Sequence, residues 1–391
     1  MLTTLIAFIL ILGLLIFVHE LGHFLVARKF GVKVDEFGIG LPPRIFGFYK
    51  DKNGKWKKVI GSKEVKDVPK TIYSMNWLPL GGFCNIKGED GDGRNEQDSF
   101  ASKKIWQRAS ILSAGVTMNF LLCVVLLSVG FMIGLPQEIT DEEDKSLYIK
   151  GRQIIISEIA DNSPAKKAGI QMGDYLTSIE GVKFESVEEA SDFIASKEGQ
   201  ELDIILTRGD EEISKQIVPQ KTNEIKDRAV IGVGLVKIGI ISYPLHKAVY
   251  MGFASTLKLG KLILVTFFEL LRDFIFGRDV QVDVAGPIGI AVLTGQVVRM
   301  GFVYILQFTA LISLNLAIIN FLPIPALDGG RMVFLLIEKI RGSAISQRIE
   351  NRINTIGFAC LMLLFVAVTF HDISKFRYIF VNLWSKIVGL F

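Results

Sequence analysis

The sequence predicts a polytopic α-helical membrane protein with four transmembrane helices, a membrane-associated β-hairpin region and one exported α/β domain. Three observations lead to this fold class. The first is composition: of 391 residues 50% are hydrophobic, and the mean hydropathy of +0.41 is too high for one ordinary soluble domain. The second is that the apolar residues are concentrated in long runs. The third is that the loops between those runs differ in charge.

Four runs approach the length of about 20 apolar residues that a bilayer-spanning helix needs. The first has no basic residue before its apolar part and no small-residue cleavage site, so it predicts a retained helix and not a secretory signal. Residues 244–276 mix apolar and charged side chains, and they predict an amphipathic helix at the membrane interface. The predicted spans are roughly 2–27, 109–135, 301–322 and 354–370.

The charge of the loops predicts which side of the membrane each one occupies. Residues 28–108 contain 17 Lys/Arg and 10 Asp/Glu, and residues 331–352 are also basic. Residues 137–245 contain 13 Lys/Arg and 21 Asp/Glu. Because basic loops stay in the cytoplasm, we expect 28–108 and 331–352 to be cytoplasmic. Residues 137–245 and both termini are then exported.

These assignments divide the chain into seven segments. They are 1–30, the first transmembrane helix with a His-Glu-Leu-Gly-His motif; 31–108, a cytoplasmic or re-entrant β region; 109–135, the second transmembrane helix; 150–222, the exported domain; 244–276, the interfacial helix; 301–330, the third transmembrane helix with a Leu-Asp-Gly motif; and 354–370, the fourth.

The motif His19-Glu20-Leu21-Gly22-His23 lies in the first apolar run, where polar groups are costly. Positions four apart share one face of a helix, so His19 and His23 can reach a single ion. This is the zincin arrangement, in which two imidazoles bind Zn²⁺ and the glutamate acts as general base for the bound water. The alternative is that both histidines are ordinary core or interfacial residues.

A catalytic zinc site usually has a third protein ligand. The topology places His246 and His371 on the exported side, which makes them poor candidates, and the three cysteines lack CxxC spacing. Asp328 is the better candidate, because it follows the third span in a segment broken by prolines and glycines. The alternative is that Asp328 only caps a helix at a membrane-exit turn.

These motifs together resemble the site-2 protease family of intramembrane zinc metalloproteases, in its bacterial RseP-like branch. The family's HExxH corresponds to residues 19–23 here, and its NxxPxPxLDG pattern corresponds to Asn320 through Gly329. The segments "PLGGFCNIKGED", "FASKKIWQRASILSAG" and "GPIGIA" extend the likeness over most of the chain. Val116 stands where family members often have proline. The resemblance implies that His19, His23 and Asp328 bind one Zn²⁺ per chain and that Glu20 is the base.

Residues 150–222 resemble a PDZ domain, through the SPAxxAGIxxGDxIxxIxG pattern in "DNSPAKKAGIQMGDYLTSIEGVKF". Ser186 is the predicted cap of a short helix. We find one copy where well-known relatives have two. On the exported side this domain is expected to filter substrates by size or to bind a new peptide C-terminus. A generic peptide-binding module without a gating role is the alternative.

A helical substrate must be extended before a protease can cut it, and an exposed strand edge offers the backbone partners. We assign that task to the strand at Gly82, Phe83 and Cys84, with an ordinary surface hairpin as the alternative. The resemblance implies that "FGIGLPPRIFGF" forms a re-entrant loop. It also implies that Asn320 positions the substrate or stabilises the oxyanion, whereas Asn315 has that role or packs between helices.

The sequence therefore predicts an intramembrane zinc metalloprotease of the bacterial inner membrane, with its active site near the cytoplasmic side. Its expected partners are the lipid bilayer and single-span substrates such as anti-sigma factors or remnant signal peptides, with no nucleic acid. Three alternatives remain. They are a membrane-bound zincin that cuts extramembrane loops, a scaffold that recruits partners through the PDZ-like domain, and an ion transporter, which four spans without paired repeats fit poorly.

Overall fold

The structure is a computed structural model, and it describes residues 2–63, 65, 70–139, 149–160, 162–209, 211–221, 228–278 and 285–376. Two compact units divide the described chain: Met1–Leu127, Gly252–Val298 and Ile305–Phe391 form the first, and Ser128–Met251 with Arg299–Tyr304 form the second. The elements, in chain order, are α1 (Leu2–Lys29), β1 (Val34–Lys50), β2 (Trp56–Ile60), β3 (Ile72–Ile86), α2 (Ile105–Ile133), β4 (Leu135–Glu138), β5 (Ile149–Ile159), α3 (Pro164–Lys167), β6 (Tyr175–Ile179), α4 (Val187–Ser196), β7 (Leu202–Arg208), β8 (Glu211–Ile217), β9 (Val233–Ile241), α5 (Leu245–Ile275), α6 (Pro287–Met300), α7 (Phe302–Phe321), α8 (Asp328–Arg341) and α9 (Gln347–Lys375).

Five helices in the described part of the chain are long and apolar enough to cross a membrane, one more than the four predicted spans. The additional helix is α5, where the sequence analysis placed an interfacial helix. Charged residues such as Lys258 and Lys261 interrupt its apolar run, but α5 continues through both for 31 residues. The described helices therefore allow up to five membrane spans, and the count of four stays a prediction.

Helix α2 holds α1 and α7 together in the first unit. A Cβ on Gly22 would lie 2.4 Å from the carbonyl oxygen of Ala114, so α1 and α2 touch at their backbones. Small residues permit such close approach between membrane helices. On α7, the buried Ser313 hydroxyl donates to the carbonyl oxygen of Asn119 on α2, at 2.8 Å. This contact places α7, which precedes Asp328, beside α2, and α2 in turn touches the helix that carries His19 and His23.

The region after α1 forms an antiparallel sheet in the order β2-β1-β3. The first half of β1, near Gly38, pairs with both Ser74 and Phe83, so the two halves of β3 flank it. A Cβ on Gly38 would lie 2.4 Å from the Phe83 ring, which explains the glycine. The second half of β3, residues 82–86, pairs with β1 on one side, and no described strand pairs with its other side. That half of β3 is therefore an open edge.

Asp372, at the end of α9, fixes the start of α6. Its carboxylate accepts hydrogen bonds from the backbone N–H groups of Gly286, at 3.2 Å, and Gly289, at 2.7 Å, and its side chain is buried. The first turn of a helix leaves N–H groups without partners in the helix. Asp372 supplies those partners, which gives the "GPIG" segment a structural reason.

Replacing Asp372 by alanine is expected to lower the free energy of unfolding by about 3 kcal/mol, because two N–H groups lose a charged acceptor inside the protein. Asp372→Asn, with one acceptor oxygen, should lose about half as much. Thermal unfolding in detergent measures both, with the exposed Glu269→Ala on α5 as the control. Equal midpoints for Asp372→Ala and wild type would show that the contact does not matter.

The second unit is a six-stranded antiparallel sheet in the order β4-β9-β5-β6-β7-β8, packed against the short helices α3 and α4. The predicted cap is confirmed, since the Ser186 hydroxyl accepts from the backbone N–H of Glu189 at 3.1 Å. Strands β4 and β9 lie outside residues 150–222, and the sequence analysis assigned no strand to either. Strand β9 lies between β4 and β5, and it reaches β5 only through a long-range pairing, which local sequence patterns do not reveal.

Candidate metal centre

His19 and His23 lie one helical turn apart on α1, and both side chains are buried, with 7% of each residue exposed. Their Nε2 atoms are 3.2 Å apart. At this distance the two nitrogens can share one proton or bind one ion. The i, i+4 spacing thus places both imidazoles on one face of α1, as predicted from the sequence.

Asp328 completes the cluster from the other end of the chain. Its Oδ2 lies 3.1 Å from His19 Nε2 and 3.4 Å from His23 Nε2. Asp328 begins α8 directly after the turn that follows α7. Cβ atoms on Gly329 and Gly330 would come within 2.1 and 2.3 Å of the carbonyl oxygens of Leu322 and Ile324. The two glycines therefore let the first turn of α8 press against that loop and bring the carboxylate to the histidines.

The donor set fits a zinc ion. The side-chain ligand atoms of the three residues all lie within 4.8 Å of one another, and Asp328 Oδ2 is buried without a hydrogen bond. A Cβ on Gly115 would fall 2.4 Å from His23 Nε2 and 2.7 Å from His19 Nε2, so glycine keeps this space open. Two imidazole nitrogens and one carboxylate oxygen suit zinc, with a further position left for water or substrate.

Contacts from α2, which the sequence pattern did not predict, orient both imidazoles. His23 Nδ1 lies 2.8 Å from the carbonyl oxygen of Ile111 and donates to it, so in the neutral ring Nε2 keeps its lone pair. The Asn119 amide lies 3.3 Å from His19 Nδ1, and its Oδ1 is buried without a partner. Exchanging the amide oxygen and nitrogen, which have the same shape, gives Oδ1 the His19 N–H and leaves Nε2 unprotonated. Such partners fix the tautomer of a metal ligand. The available signal was a lone asparagine within an apolar span.

Glu20 lies beside the open edge strand. A Cβ on Gly82 would be 3.9 Å from Glu20 Cγ, and a Cβ on Gly81 would be 2.8 Å from Ile16 on the same helix. Phe83 and Cys84 are half-buried, and Asn85 is exposed. Burial, with the nearby Glu20, raises the pKa of the Cys84 thiol. The edge strand and the glutamate of the motif therefore face one another.

A second carboxylate, Glu89, follows the edge strand and pairs with Arg331 on α8. Burial raises the pKa of Glu89, and the Arg331 guanidinium opposes that rise.

The two asparagines that the sequence indicated as substrate-binding residues differ in their hydrogen bonds. Asn315 donates to the carbonyl oxygen of Leu311 in its own helix, at 3.0 Å. Asn320 is half-buried near the end of α7, and its side chain makes no hydrogen bond to another described residue.

Known proteins are similar to this chain, the curated relatives over nearly its whole length and a solved structure over about a fifth of it. Among solved structures, the PDZ domain of the SdrC-like protein from Listeria monocytogenes is similar to 21% of this chain and 85% of its own, with 27% identity and a TM-score of 0.19. The regulator of sigma-W protease RasP from Bacillus subtilis is 30% identical, over 95% of this chain and 98% of its own. The zinc metalloprotease RasP from Bacillus licheniformis is 30% identical, over 95% and 99%. Residues 7–364 match Peptidase family M50.

Proposed function

The chain belongs to Peptidase family M50 and is an intramembrane zinc metalloprotease, and from that premise we propose that it cuts single-span membrane proteins inside the bilayer. In this proposal His19, His23 and Asp328 hold one zinc ion per chain, and Glu20 is the general base. One observation carries the assignment. Two imidazole nitrogens and one carboxylate oxygen converge within 4.8 Å at a largely buried site beside an open strand edge.

Zinc, when bound, supplies Lewis-acid polarisation of the scissile carbonyl and activates a water molecule near neutral pH. Glu20 accepts a proton from the attacking water while the new C–O bond forms. It then passes that proton to the amine nitrogen as the C–N bond breaks. His23 and His19 stay in place because Ile111 and Asn119 hold their Nδ1 sides. Asn320, free of other hydrogen bonds, is proposed to bind the substrate carbonyl.

The substrate is proposed to add as a strand to the open side of residues 82–86. Backbone hydrogen bonds would replace those that the substrate helix loses when it is extended. Gly82 supports this role, since a Cβ there would approach Gly38 O at 2.8 Å and would point towards Glu20. Phe83 and Cys84 continue the same edge. Asn315 satisfies its amide within α7, which supports the packing role for that residue.

Sidedness rests on the loop charges. The basic residues of 28–108 and 331–352 support a cytoplasmic location for the zinc site, and the acidic excess of 137–245 supports export of the PDZ-like domain. We place the protein in the bacterial inner membrane, as a multi-pass protein.

In the second unit, a groove between α4 and the segment Ala229–Leu235 is lined by Ile194, Gly232 and Arg228. An extended peptide C-terminus fits that groove, with Arg228 to meet its carboxylate.

The substrates are proposed to be anti-sigma factors or remnant signal peptides. The printed name of the Bacillus subtilis relative connects that protein with sigma-W regulation, which supports the first of these classes. In this proposal either class reaches the enzyme as one apolar span with a short exported stub. A helix of that kind can enter beside the open edge of β3 without a folded domain attached.

Mapping the cleavage site tests the proposal. Purified protein in detergent is expected to cut a tagged single-span substrate with a short stub at a bond inside its apolar span, as read by mass spectrometry of both products. Chelation should abolish the cut and added zinc should restore it. Cuts confined to extramembrane segments would favour the zincin that attacks loops. Activity towards the substrate that survives complete zinc removal would contradict the zinc assignment.

A further inference from the structure

We propose that the Glu89–Arg331 ion pair is a positioning device that sets which peptide bond of the substrate reaches the zinc site. It connects the edge strand, which would align the substrate, to the helix that carries Asp328. This inference rests on the proposed function, because it assigns the edge strand to substrate binding. It adds two residues that neither the zinc site nor the general base includes.

The placement of the two residues makes the connection short. Glu89 follows the end of the edge strand at Ile86 by three residues, and Arg331 follows Asp328 by three residues on α8. Residues three apart on a helix project on neighbouring positions of one face. Glu89 Oε1 accepts a hydrogen bond from Arg331 Nη1, and the two side chains are 26% and 29% exposed. The pair is therefore only partly open to solvent and stronger than a surface contact.

The chain between the edge strand and Glu89 has little freedom. Lys87 donates its N–H to Lys33 O at 2.9 Å and accepts from Phe100 N at 2.8 Å. Gly88 has φ +74°, and a Cβ there would meet Ser99 Oγ at 1.8 Å. Gly91 has φ +90° and lies against Gln347 of α9. Because these contacts restrain the loop, a shift of Glu89 also shifts the adjoining edge strand.

Helix α8 is fixed independently of this pair. Its far end is held by the ion pair between Glu338 and Arg108 of α2, whose side chains are 19% and 12% exposed. Its near end is held by the close approach of Gly329 and Gly330 to the preceding loop. Loss of the Glu89 contact would thus leave Asp328 in place and would change only how the edge strand is positioned relative to α8. That separates substrate alignment from zinc binding.

Arg331 also offsets the negative charge of the carboxylates around the site. Glu20, Asp328 and Glu89 are close enough to repel one another electrostatically. The Arg331 guanidinium adds a positive charge to this group of three carboxylates and draws Glu89 towards α8. Reversing the two charges as a pair keeps the attraction, whereas changing either one alone removes it.

The test compares Arg331→Gln, Glu89→Gln and the double variant Glu89→Arg with Arg331→Glu. The matched control is Arg341→Gln, an exposed arginine of the same helix with no ion pair among the described residues. Each protein is assayed in detergent for zinc per chain, for kcat and KM on a tagged single-span substrate, and for the bond cut, by mass spectrometry. A misplacement of about 1 Å can cost about 100-fold in rate.

We expect both single variants to keep one zinc per chain, to lose about 10- to 100-fold in kcat with a smaller change in KM, and to cut neighbouring bonds as well. The double variant should recover the wild-type bond and most of kcat, and Arg341→Gln should match wild type. Arg331→Lys keeps the charge with one donor group, and should fold and show partial loss of cleavage precision.

The proposal is overturned if Arg331→Gln, Glu89→Gln and Arg331→Lys all cut the wild-type bond alone at the wild-type rate. It is equally overturned if the single variants lose zinc, or if the charge-exchanged protein shows no recovery. The wild-type control separates this inference from the proposed function. Wild type that does not cut within the span contradicts the function itself, whereas wild type that cuts there beside unchanged variants contradicts only the positioning role.

Discussion

Replacing Glu20 by glutamine is expected to lower kcat by about 10²- to 10⁴-fold, with zinc still bound at one ion per chain. Glutamine has the size of glutamate and keeps an acceptor oxygen, but it cannot take a proton from water. The zinc ligands should be unaffected, because the converging atoms belong to His19, His23 and Asp328. Glu20 instead lies against the edge strand at Gly82. The measurement is kcat on a single-span substrate together with zinc content by elemental analysis.

The same change at Glu269 is the matched control, since that side chain is exposed on α5 and touches no part of the site. Glu269→Gln should cleave at the wild-type rate. If Glu20→Gln cleaved equally well, another group would have to be the base. A Glu20→Gln protein that lost zinc would show that Glu20 supports the metal site and would leave its proton-transfer role without evidence.

The parts of the site that depend on local spacing could be predicted from the sequence. His19 and His23 share a helix face because helix geometry alone decides it. Asp328 could be nominated because an aspartate between helix-breaking residues at the end of a span is unusual, although 305 residues separate it from His23. The strand at residues 82–86 followed from β-branched and aromatic residues between turn signals, although its open side depends on long-range pairing with β1. In each case the deciding information lies within a few residues.

The parts that depend on how helices pack could not be predicted. Asn119, Ile111 and Gly115 reach the histidines only because α2 crosses α1 at Gly22, and one sequence does not reveal the rotation of that crossing. Helix α5 was expected to be interfacial because charges interrupt its apolar run. A helix of 31 residues accommodates those charges on its exposed face, since Lys258 and Lys261 are both exposed. Its length and composition also suit a membrane span, so the interfacial placement of α5 stays a prediction.

Gly115→Ala is expected to weaken zinc binding by at least about 10- to 100-fold, the range seen when groups around metal ligands are changed. The added methyl would lie 2.4 Å from His23 Nε2 and 2.7 Å from His19 Nε2, closer than such atoms can approach. Helix α2 cannot retreat easily, because the Ser313 hydroxyl holds it at Asn119. The imidazoles must then rotate away from Asp328. Chelator competition measures the zinc affinity, and cleavage of the single-span substrate measures the consequence.

Gly13→Ala on α1 is the matched control, because a Cβ there meets nothing within 4 Å. Alanine favours a helix over glycine by about 1 kcal/mol, so Gly13→Ala should bind zinc as wild type does and should be no less stable. Gly115→Ala gains the same helix preference, yet it should lose zinc and cleavage. Loss of zinc without loss of helix stability in Gly115→Ala would show that Gly115 makes room for the metal ligands and is not needed for the helix itself. Wild-type zinc affinity in Gly115→Ala would mean that the ligands can reach the ion from another arrangement.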